Sequence, residues 1–200
     1  MGHEWHDTDF ADDYLSLART EPHLAQGTAA LLELVDRPTR VLDIGTGDGR
    51  ILELVLQSHP DADGIGLDNS DAMLARAKVP TMKHDFAQPL PELGSFDLVT
   101  SCMAIHHMPD ERKKEIYAEV FALLEPGGMF LHLEHVAPGS ERLHREFYAA
   151  LGVPPEDDPS DQTTPVDTQL TWLRDIGFCD VDCMWKWREL ALMQGRKPAA

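Results

Sequence analysis

The chain has 200 residues, of which 42% are hydrophobic, so it is long enough to bury a core, and its length favours a single domain. Its formal net charge of −18 at pH 7 disfavours a nucleic-acid ligand, because a strongly acidic surface repels a phosphate backbone. No window approaches the ~18 consecutive apolar residues of a membrane span, which makes a membrane-embedded protein unexpected.

The first part of the chain, before any predicted strand, shows two stretches of helical spacing. One contains Phe10 and Tyr14, and the other runs from Leu24 to Val35. We expect one or two helices there.

From residue 39 onward, short apolar runs alternate with helical stretches. The runs RVLDIG, DGIGLDN, TMKHDF, FDLVTSCM and GMFLHLEHV are separated by the helical patterns DGRILELVLQSH, SDAMLARAK and DERKKEIYAEVFALLE. Such alternation predicts an α/β fold, with a Rossmann-like, doubly wound and mostly parallel sheet over residues 39–136. Turns are predicted at PDADG (60–64) and EPGG (125–128).

Residues 137–165 form an insert of different character, with a predicted helix from Glu141 to Leu151 followed by a loop rich in Pro, Asp and Ser. A long insert in a compact domain is either a lid over the substrate or a plain loop, and both interpretations stay open. Residues 166–200 predict a helix, VDTQLTWLRDIG, and then two strands, FCDVDCMW and WRELALMQGR. These strands are joined almost directly, so we expect a hairpin whose last strand is antiparallel.

The three cysteines, Cys102, Cys179 and Cys183, have no framework spacing, which points to a reducing compartment. Cys179 and Cys183 are four residues apart in a predicted strand, or ~13 Å, which exceeds the ~7 Å that a disulfide tolerates. The amino terminus also lacks a cationic segment followed by an apolar one. We therefore expect a cytoplasmic protein.

The segment VLDIGTGDGR carries three glycines directly after an apolar run. Gly45 and Gly47 match the first two positions of the dinucleotide fingerprint GxGxxG, but Arg50 occupies the third and the last glycine is Gly49. The carboxylate of Asp43 at the entrance suits a ligand with an ammonium group and no phosphate, because it would repel a pyrophosphate. A nicotinamide-dependent oxidoreductase is therefore disfavoured.

This segment resembles the first motif of class I S-adenosylmethionine-dependent methyltransferases. The resemblance continues in order through GIGLDNS, KHDF, FDLVTSCMAIHHM and LLEPGGMFLHLEHV. The closing DVDCMWKWRELALMQGRKP is similar to the terminal hairpin of small bacterial methyltransferases whose chains also begin with a Trp-His segment. The resemblance implies the class I methyltransferase fold, S-adenosyl-L-methionine as cofactor, and a helical lid formed by residues 1–38.

The resemblance also implies which residues hold the cofactor. Asp68, 19 residues beyond Gly49, takes the ribose hydroxyls, and Asp85 takes the adenine beside Phe86. A helix cap next to Ser70 is the alternative role for Asp68, and a turn residue is the alternative for Asp85. The full predicted set is Asp43, Gly45, Thr46, Gly47, Gly49, Asp68, Asn69, Met73, Asp85, Phe86 and Ser101.

Three histidines are candidates for the acceptor side of the site. His106, His107 and His135 follow the fourth and fifth strands, at the edge where an open α/β sheet binds its ligand. Because histidine titrates near neutral pH, each is a candidate base or acceptor-positioning group, and packing or capping is the alternative role. The predicted acceptor pocket comprises Trp5, Phe10, Tyr14 and His106, although the aromatic residues also fit a core stripe.

No metal site is expected from the set His132, Glu134 and His135, because the first two share a strand face and His135 points to the other. The predicted activity is methyl transfer to a small-molecule acceptor by in-line displacement, in a monomer or homodimer that binds neither nucleic acid nor membrane. Two alternatives stay open: a tRNA or protein acceptor, and a non-catalytic cofactor-binding subunit that activates a partner.

Overall fold

A computed structural model describes residues 21–152 and 161–199 of the chain. All of the strands in these ranges belong to one seven-stranded sheet. In chain order they are β1 (Arg40–Ile44), β2 (Asp63–Asp68), β3 (Thr81–Lys83), β4 (Phe96–Cys102), β5 (Leu124–His135), β6 (Cys179–Trp187) and β7 (Leu190–Arg196).

The strand order across the sheet is β3-β2-β1-β4-β5-β7-β6. Neighbours among β1 to β5 pair in parallel, whereas β7 lies between β5 and β6 and is antiparallel to both. The predicted mostly parallel sheet with an antiparallel last strand is thus confirmed. The chain reverses its direction of travel across the sheet between β1 and β4, and the carboxyl ends of these strands border the crevice where such sheets bind ligands.

Helices cover both faces of the sheet. They are α1 (Pro22–Leu34), α2 (Arg50–Ser58), α3 (Asp71–Leu74), α4 (Asp110–Leu123), α5 (Glu141–Leu151) and α6 (Val166–Ile176), with a 3-10 turn at Ile105–His107. Alternate strand residues face opposite sides, so Val41 packs in the cluster under α1 and α2 while Leu42 packs in the cluster under α4 and α6.

Three local predictions need correction. The predicted helix SDAMLARAK is reduced to the four residues of α3, and β3 has only three residues. The predicted turn EPGG lies inside β5, where Gly127 has a φ of +84° and the register with β4 shifts. The segment extends the sheet instead of turning away, because Gly127 N donates to Lys197 O and Lys197 N donates to Gly128 O.

The insert contains the predicted helix as α5, and its last residues return to the sheet. Gln162 N donates to the His106 carbonyl at 2.9 Å, and Ala137 N donates to the Thr164 carbonyl at 3.1 Å. These bonds place Asp161 beside the ends of β4 and β5. Trp5, Phe10, Tyr14 and most of the predicted lid lie outside the described residues, so these predictions stay untested, as does the prediction of a single domain.

Two further findings concern sequence features. Cys102, Cys179 and Cys183 are all free cysteines in the structure. Within residues 21–152 and 161–199, none of the helices has the length and apolar character that a membrane crossing requires.

Candidate active site

The loop after β1 depends on glycine at positions where the backbone is left-handed. Gly45, Gly47 and Gly49 have φ values of +69°, +57° and +81°. A Cβ at Gly45 would lie 2.1 Å from the Ala104 Cβ, and one at Gly49 would lie 2.7 Å from a methyl carbon of Val79. At Gly47 an added Cβ meets no described atom within 4 Å, so this position faces open space. The loop therefore packs closely against Ala104 at Gly45 and against Val79 at Gly49, whereas it is open at Gly47.

Asp68 lies at the end of β2 and faces this loop. Its carboxylate accepts hydrogen bonds from Gly47 N and from Ser70 N, each at 2.8 Å. Ser70 in turn caps α3 by accepting a bond from Met73 N at 3.2 Å. Burial raises the pKa of Asp68, and the backbone donors oppose that rise. The structure therefore gives the cap to Ser70 and places Asp68 between the loop and the helix start.

A cleft opens at the carboxyl ends of β1, β2 and β4. Seven of the predicted site residues line it: Gly45, Gly47, Asp68, Asn69, Met73, Phe86 and His107. Four lining residues were missed by the sequence analysis: Ser70, Cys102, Met103 and Ala104. Cys102 ends β4, and Met103 and Ala104 follow it, within a motif that the sequence analysis did identify. From this motif the sequence analysis selected Ser101, which is buried inside the sheet.

Within the described residues, several predicted cofactor residues lie behind the cleft and do not line its wall. Asp43 is buried and accepts a bond from Thr100 Oγ1 at 2.7 Å. Burial raises the pKa of Asp43 to about 6, against the opposing effect of the hydrogen bond from Thr100. Thr46 is buried against Gly66, where an added Cβ would lie 2.5 Å from the threonine side chain. These residues support the loop from below.

Asp85 is exposed, and its carboxylate accepts a bond from Ala87 N at 3.0 Å. This contact matches the turn role that the sequence analysis kept as an alternative. Among the described residues, the cleft wall includes the neighbouring Phe86 and not Asp85. The predicted contact of Asp85 with adenine stays a prediction.

The 3-10 turn after β4 carries the two adjacent histidines to different places. His107 lines the cleft. His106 is buried, pairs through Nδ1 with Glu134 Oε1, and has its Nε2 3.3 Å from Asp161 Oδ1. As far as the described residues show, His106 does not reach the cleft wall where it was predicted to contact the acceptor.

The electrostatics separate the candidate bases. Burial lowers the pKa of His106, but its pairing with Glu134 and Asp161 outweighs burial and raises that pKa to about 9. Burial raises the pKa of Glu134, but the charge of His106 outweighs it and lowers that pKa to about 2. His106 is therefore positively charged at neutral pH, and a protonated imidazole is not a base. Of the three predicted candidates, His107 is the one that the described structure places on the cleft wall.

His135 and His132, at the end of β5, have contrasting surroundings. His135 Nδ1 lies 3.0 Å from Asp161 Oδ2, and its Nε2 lies 3.2 Å from Glu189 Oε2. Burial lowers the pKa of His135, but the two carboxylates raise it overall. Burial dominates at His132 and lowers its pKa to about 4, so this ring is neutral.

Similarity to known proteins agrees with this geometry. A family model described as a methyltransferase domain matches residues 41–128, which contain the glycine loop, Asp68 and both adjacent histidines. Trans-aconitate 2-methyltransferase from Variovorax paradoxus is 33% identical over 146 residues, which cover 70% of this chain and 54% of that protein. The chain carries a class I methyltransferase domain.

Further matches support this methyltransferase assignment. The ubiquinone/menaquinone biosynthesis C-methyltransferase UbiE from Methylobacterium nodulans is 38% identical over 126 residues, covering 56% of this chain and 49% of that protein. An O-methyltransferase family protein from Burkholderia thailandensis superimposes with a TM-score of 0.75 at 19% identity, covering 98% of this chain and 61% of that chain. The latter likeness shows the shared fold. The chain spans about half the length of the curated relatives it matches.

Proposed function

We propose that the protein transfers the methyl group of S-adenosylmethionine to a small-molecule acceptor by in-line displacement. The observation that carries the proposal is the position of Asp68. Its carboxylate lies on the cleft wall at the end of β2, opposite the glycine loop, and it is tied to Gly47 N. A carboxylate held there offers strong acceptors to a pair of ribose hydroxyls.

The residues around the cleft fit S-adenosylmethionine better than a dinucleotide. Asn69, Met73 and Phe86 provide one polar and two apolar surfaces beside Asp68, which suits an adenosine group. Asp43 lies buried under the loop, where a negative charge favours the positive methionine end of the ligand and disfavours a pyrophosphate. At Gly47 the loop backbone is open to the cleft, so the ligand can approach the main chain closely.

When bound, S-adenosylmethionine supplies a methyl group activated by its sulfonium. The protein must then align the acceptor, exclude water and, where the acceptor carries a proton, remove it. His107 is the candidate for the last task because its ring lines the cleft on the side of β4. Met103 and Ala104 lie on the same side and offer an apolar wall against which an acceptor can be aligned.

We propose a small acceptor rather than a tRNA because of the net charge of the chain. A formal net charge of −18 opposes the docking of a tRNA, whose phosphates carry the same sign. The names of the two curated relatives point to different chemistry, since one names trans-aconitate and the other C-methylation in ubiquinone/menaquinone biosynthesis. We expect a monomer or homodimer that works in the cytoplasm.

A labelled-methyl assay tests the proposal. The purified protein is incubated with S-adenosylmethionine labelled in the methyl group and, separately, with pools of organic acids, phenols and amines, with tRNA, and with a cell protein fraction. We expect label in a small molecule, and at least tenfold less label at subsaturating S-adenosylmethionine when Asp68→Ala replaces the wild type. Label only in tRNA or protein would overturn the acceptor class, and transfer that starts only after a protein fraction is added would favour the partner-dependent alternative.

A further inference from the structure

A second group of chemically active side chains lies beside the cofactor cleft. We propose that His106, His135 and Asp161 bind a divalent transition-metal ion. The three residues come from the 3-10 turn, the end of β5 and the returning end of the insert. One ligand atom from each lies within 4.8 Å of the others. His106 Nε2 is 3.3 Å from Asp161 Oδ1, and His135 Nδ1 is 3.0 Å from Asp161 Oδ2.

These distances agree with a shared ion. A transition metal holds imidazole nitrogen and carboxylate oxygen at about 2.0–2.2 Å, so two ligand atoms on one ion are roughly 3–4 Å apart. Both nitrogen-to-oxygen distances already fall in that range. The two histidine nitrogens lie within 4.8 Å of each other, so an approach of at most about 1 Å brings them into the same range.

The second nitrogen of each ring supports the proposal independently. His106 Nδ1 is paired with Glu134, and His135 Nε2 is 3.2 Å from Glu189. A metal-binding histidine usually donates its other ring N–H to a carboxylate, which orients the ring and directs the free nitrogen to the metal. Here both rings have such a partner, and both remaining nitrogens converge on Asp161.

The charge of the cluster also favours a cation. Glu134 and Glu189 are buried, and the third carboxylate, Asp161, lies between the two rings. Buried carboxylates require compensating positive charge. The groups that face these carboxylates are imidazoles: His106 and His135 themselves, His107 with Nδ1 3.5 Å from Asp161 Oδ1, the neutral His132 with Nε2 3.5 Å from Glu134 Oε2, and His144 with Nδ1 3.0 Å from Glu189 Oε2. A divalent ion supplies the charge of two imidazolium protons.

The ligand set selects the class of metal. Two imidazoles and one carboxylate suit Zn²⁺, Fe²⁺, Co²⁺ or Mn²⁺, whereas Ca²⁺ and Mg²⁺ prefer oxygen ligands alone. Three protein ligands leave positions open for water or for an oxygen of a bound molecule. Because His107 both approaches Asp161 and lines the cleft, the site adjoins the cleft. If the proposed function holds, an acceptor that bears a carboxylate or hydroxyl is the class of molecule that fills the open positions.

Cobalt and zinc titrations test the site without any activity assay. Untagged full-length protein is stripped with a chelator and titrated with Co²⁺ by visible absorption and with Zn²⁺ by calorimetry. We expect one ion per chain with a ligand-field spectrum. His135→Gln and Asp161→Asn should each lose at least tenfold in affinity, and Glu189→Gln about tenfold. The matched control is His59→Gln, at the distant end of α2, which should bind like the wild type.

Two readouts separate a failed site from a failed fold or a failed function. Binding of S-adenosylhomocysteine to Asp161→Asn should equal that of the wild type, because Asp161 is not among the cleft-lining residues that the structure describes. In the wild type, Zn²⁺ should raise the Tm and a chelator should reverse the rise. The proposal is overturned if the wild type shows no Co²⁺ spectrum and no Zn²⁺-dependent Tm, or if a folded Asp161→Asn binds the metals unchanged.

Discussion

Asp68 Oδ2 accepts a hydrogen bond from Gly47 N at 2.8 Å, and this contact joins the end of β2 to the glycine loop that follows β1. The two segments are 21 residues apart in the chain and adjacent in the sheet, because β1 and β2 pair in parallel. The carboxylate that we propose binds the ribose is therefore held together with the glycine loop as one unit. A change at either residue should alter cofactor binding.

Asp68→Ala should weaken binding of S-adenosylmethionine by at least tenfold, because a carboxylate that accepts the ribose hydroxyls is lost. Asp85→Ala is the comparison after the next strand, and we expect a smaller loss there because Asp85 is exposed and bonds within its own turn. Calorimetry on both variants measures the effect. Equal losses would show that the adenine contact of Asp85 predicted from sequence is real, and an unchanged affinity in Asp68→Ala would show that the ribose site is elsewhere.

Asp43→Asn should make the cofactor-free protein more stable at pH 7.5. Burial raises the pKa of Asp43 from 3.8 to about 6 in the folded state, so ionisation of the carboxylate costs folding free energy. A raised pKa means that this cost is absent below about pH 4, grows between pH 4 and 6, and is complete above pH 6. Asparagine avoids it, and we expect a gain of about 1–3 kcal/mol.

Urea unfolding of wild type and Asp43→Asn at several pH values checks this prediction. The two curves should converge near pH 4, where the wild-type carboxyl group is itself neutral. The same variant should bind S-adenosylmethionine more weakly, because the negative charge that faces the methionine end is gone. A variant that is less stable than wild type at pH 7.5 would mean that Asp43 is structural rather than electrostatically costly.

Much of the fold could be predicted from sequence because the strands and helices are specified by patterns among residues that are close together in the chain. Each apolar run of β1, β2, β4 and β5 is followed or preceded by a helical pattern, and the hairpin of β6 and β7 follows from two apolar runs with almost no residues between them. The EPGG segment was predicted wrongly, since its pairing with Lys197 is a contact between residues about 70 positions apart.

The candidate site also divides into residues that sequence motifs indicate and residues that only long-range contacts bring to the site. Gly45, Gly47 and Asp68 line the cleft, and they could be proposed from sequence because the motifs that contain them resemble those of class I methyltransferases. Asp161 and Glu189 were not, because they belong to an irregular insert and a hairpin turn, and only long-range bonds such as Gln162 N to the His106 carbonyl bring Asp161 to the histidines. The metal set considered from sequence was limited to one strand, whereas the proposed set comes from three segments.

Gly45→Ala and Gly47→Ala should separate stability from binding. Both residues have positive φ, which costs an alanine about 1 kcal/mol. At Gly45 the new Cβ would also meet the Ala104 Cβ at 2.1 Å, so we expect a total loss of roughly 2–4 kcal/mol. At Gly47 it would enter the open cleft and lower cofactor affinity instead. Urea unfolding and calorimetry measure the two effects, and similar stability losses would contradict the contact seen at Gly45.

Lys113→Met should destabilise the end of the insert that contains Gln162 and Thr164. The buried ammonium donates to Asp110 Oδ1 at 3.1 Å, to Thr164 Oγ1 at 2.7 Å and to the Gln162 carbonyl. Loss of a buried, fully paired cation should lower the free energy of unfolding by roughly 2–4 kcal/mol. Lys114→Met is the control, because this neighbouring lysine is exposed and should cost less than about 1 kcal/mol.

Hydrogen exchange locates the effect of Lys113→Met. The Gln162 amide, which donates to the His106 carbonyl, should exchange faster in this variant than in Lys114→Met. If both variants protect this amide equally, Lys113 does not anchor the insert.

The most direct test of the account is parallel calorimetric titration of the purified protein with S-adenosylmethionine, S-adenosylhomocysteine and NADH. The geometry of the glycine loop and Asp68 predicts micromolar binding of both adenosyl ligands and no binding of NADH. Binding of NADH alone would contradict the assignment of this cleft and, with it, the proposed methyl transfer.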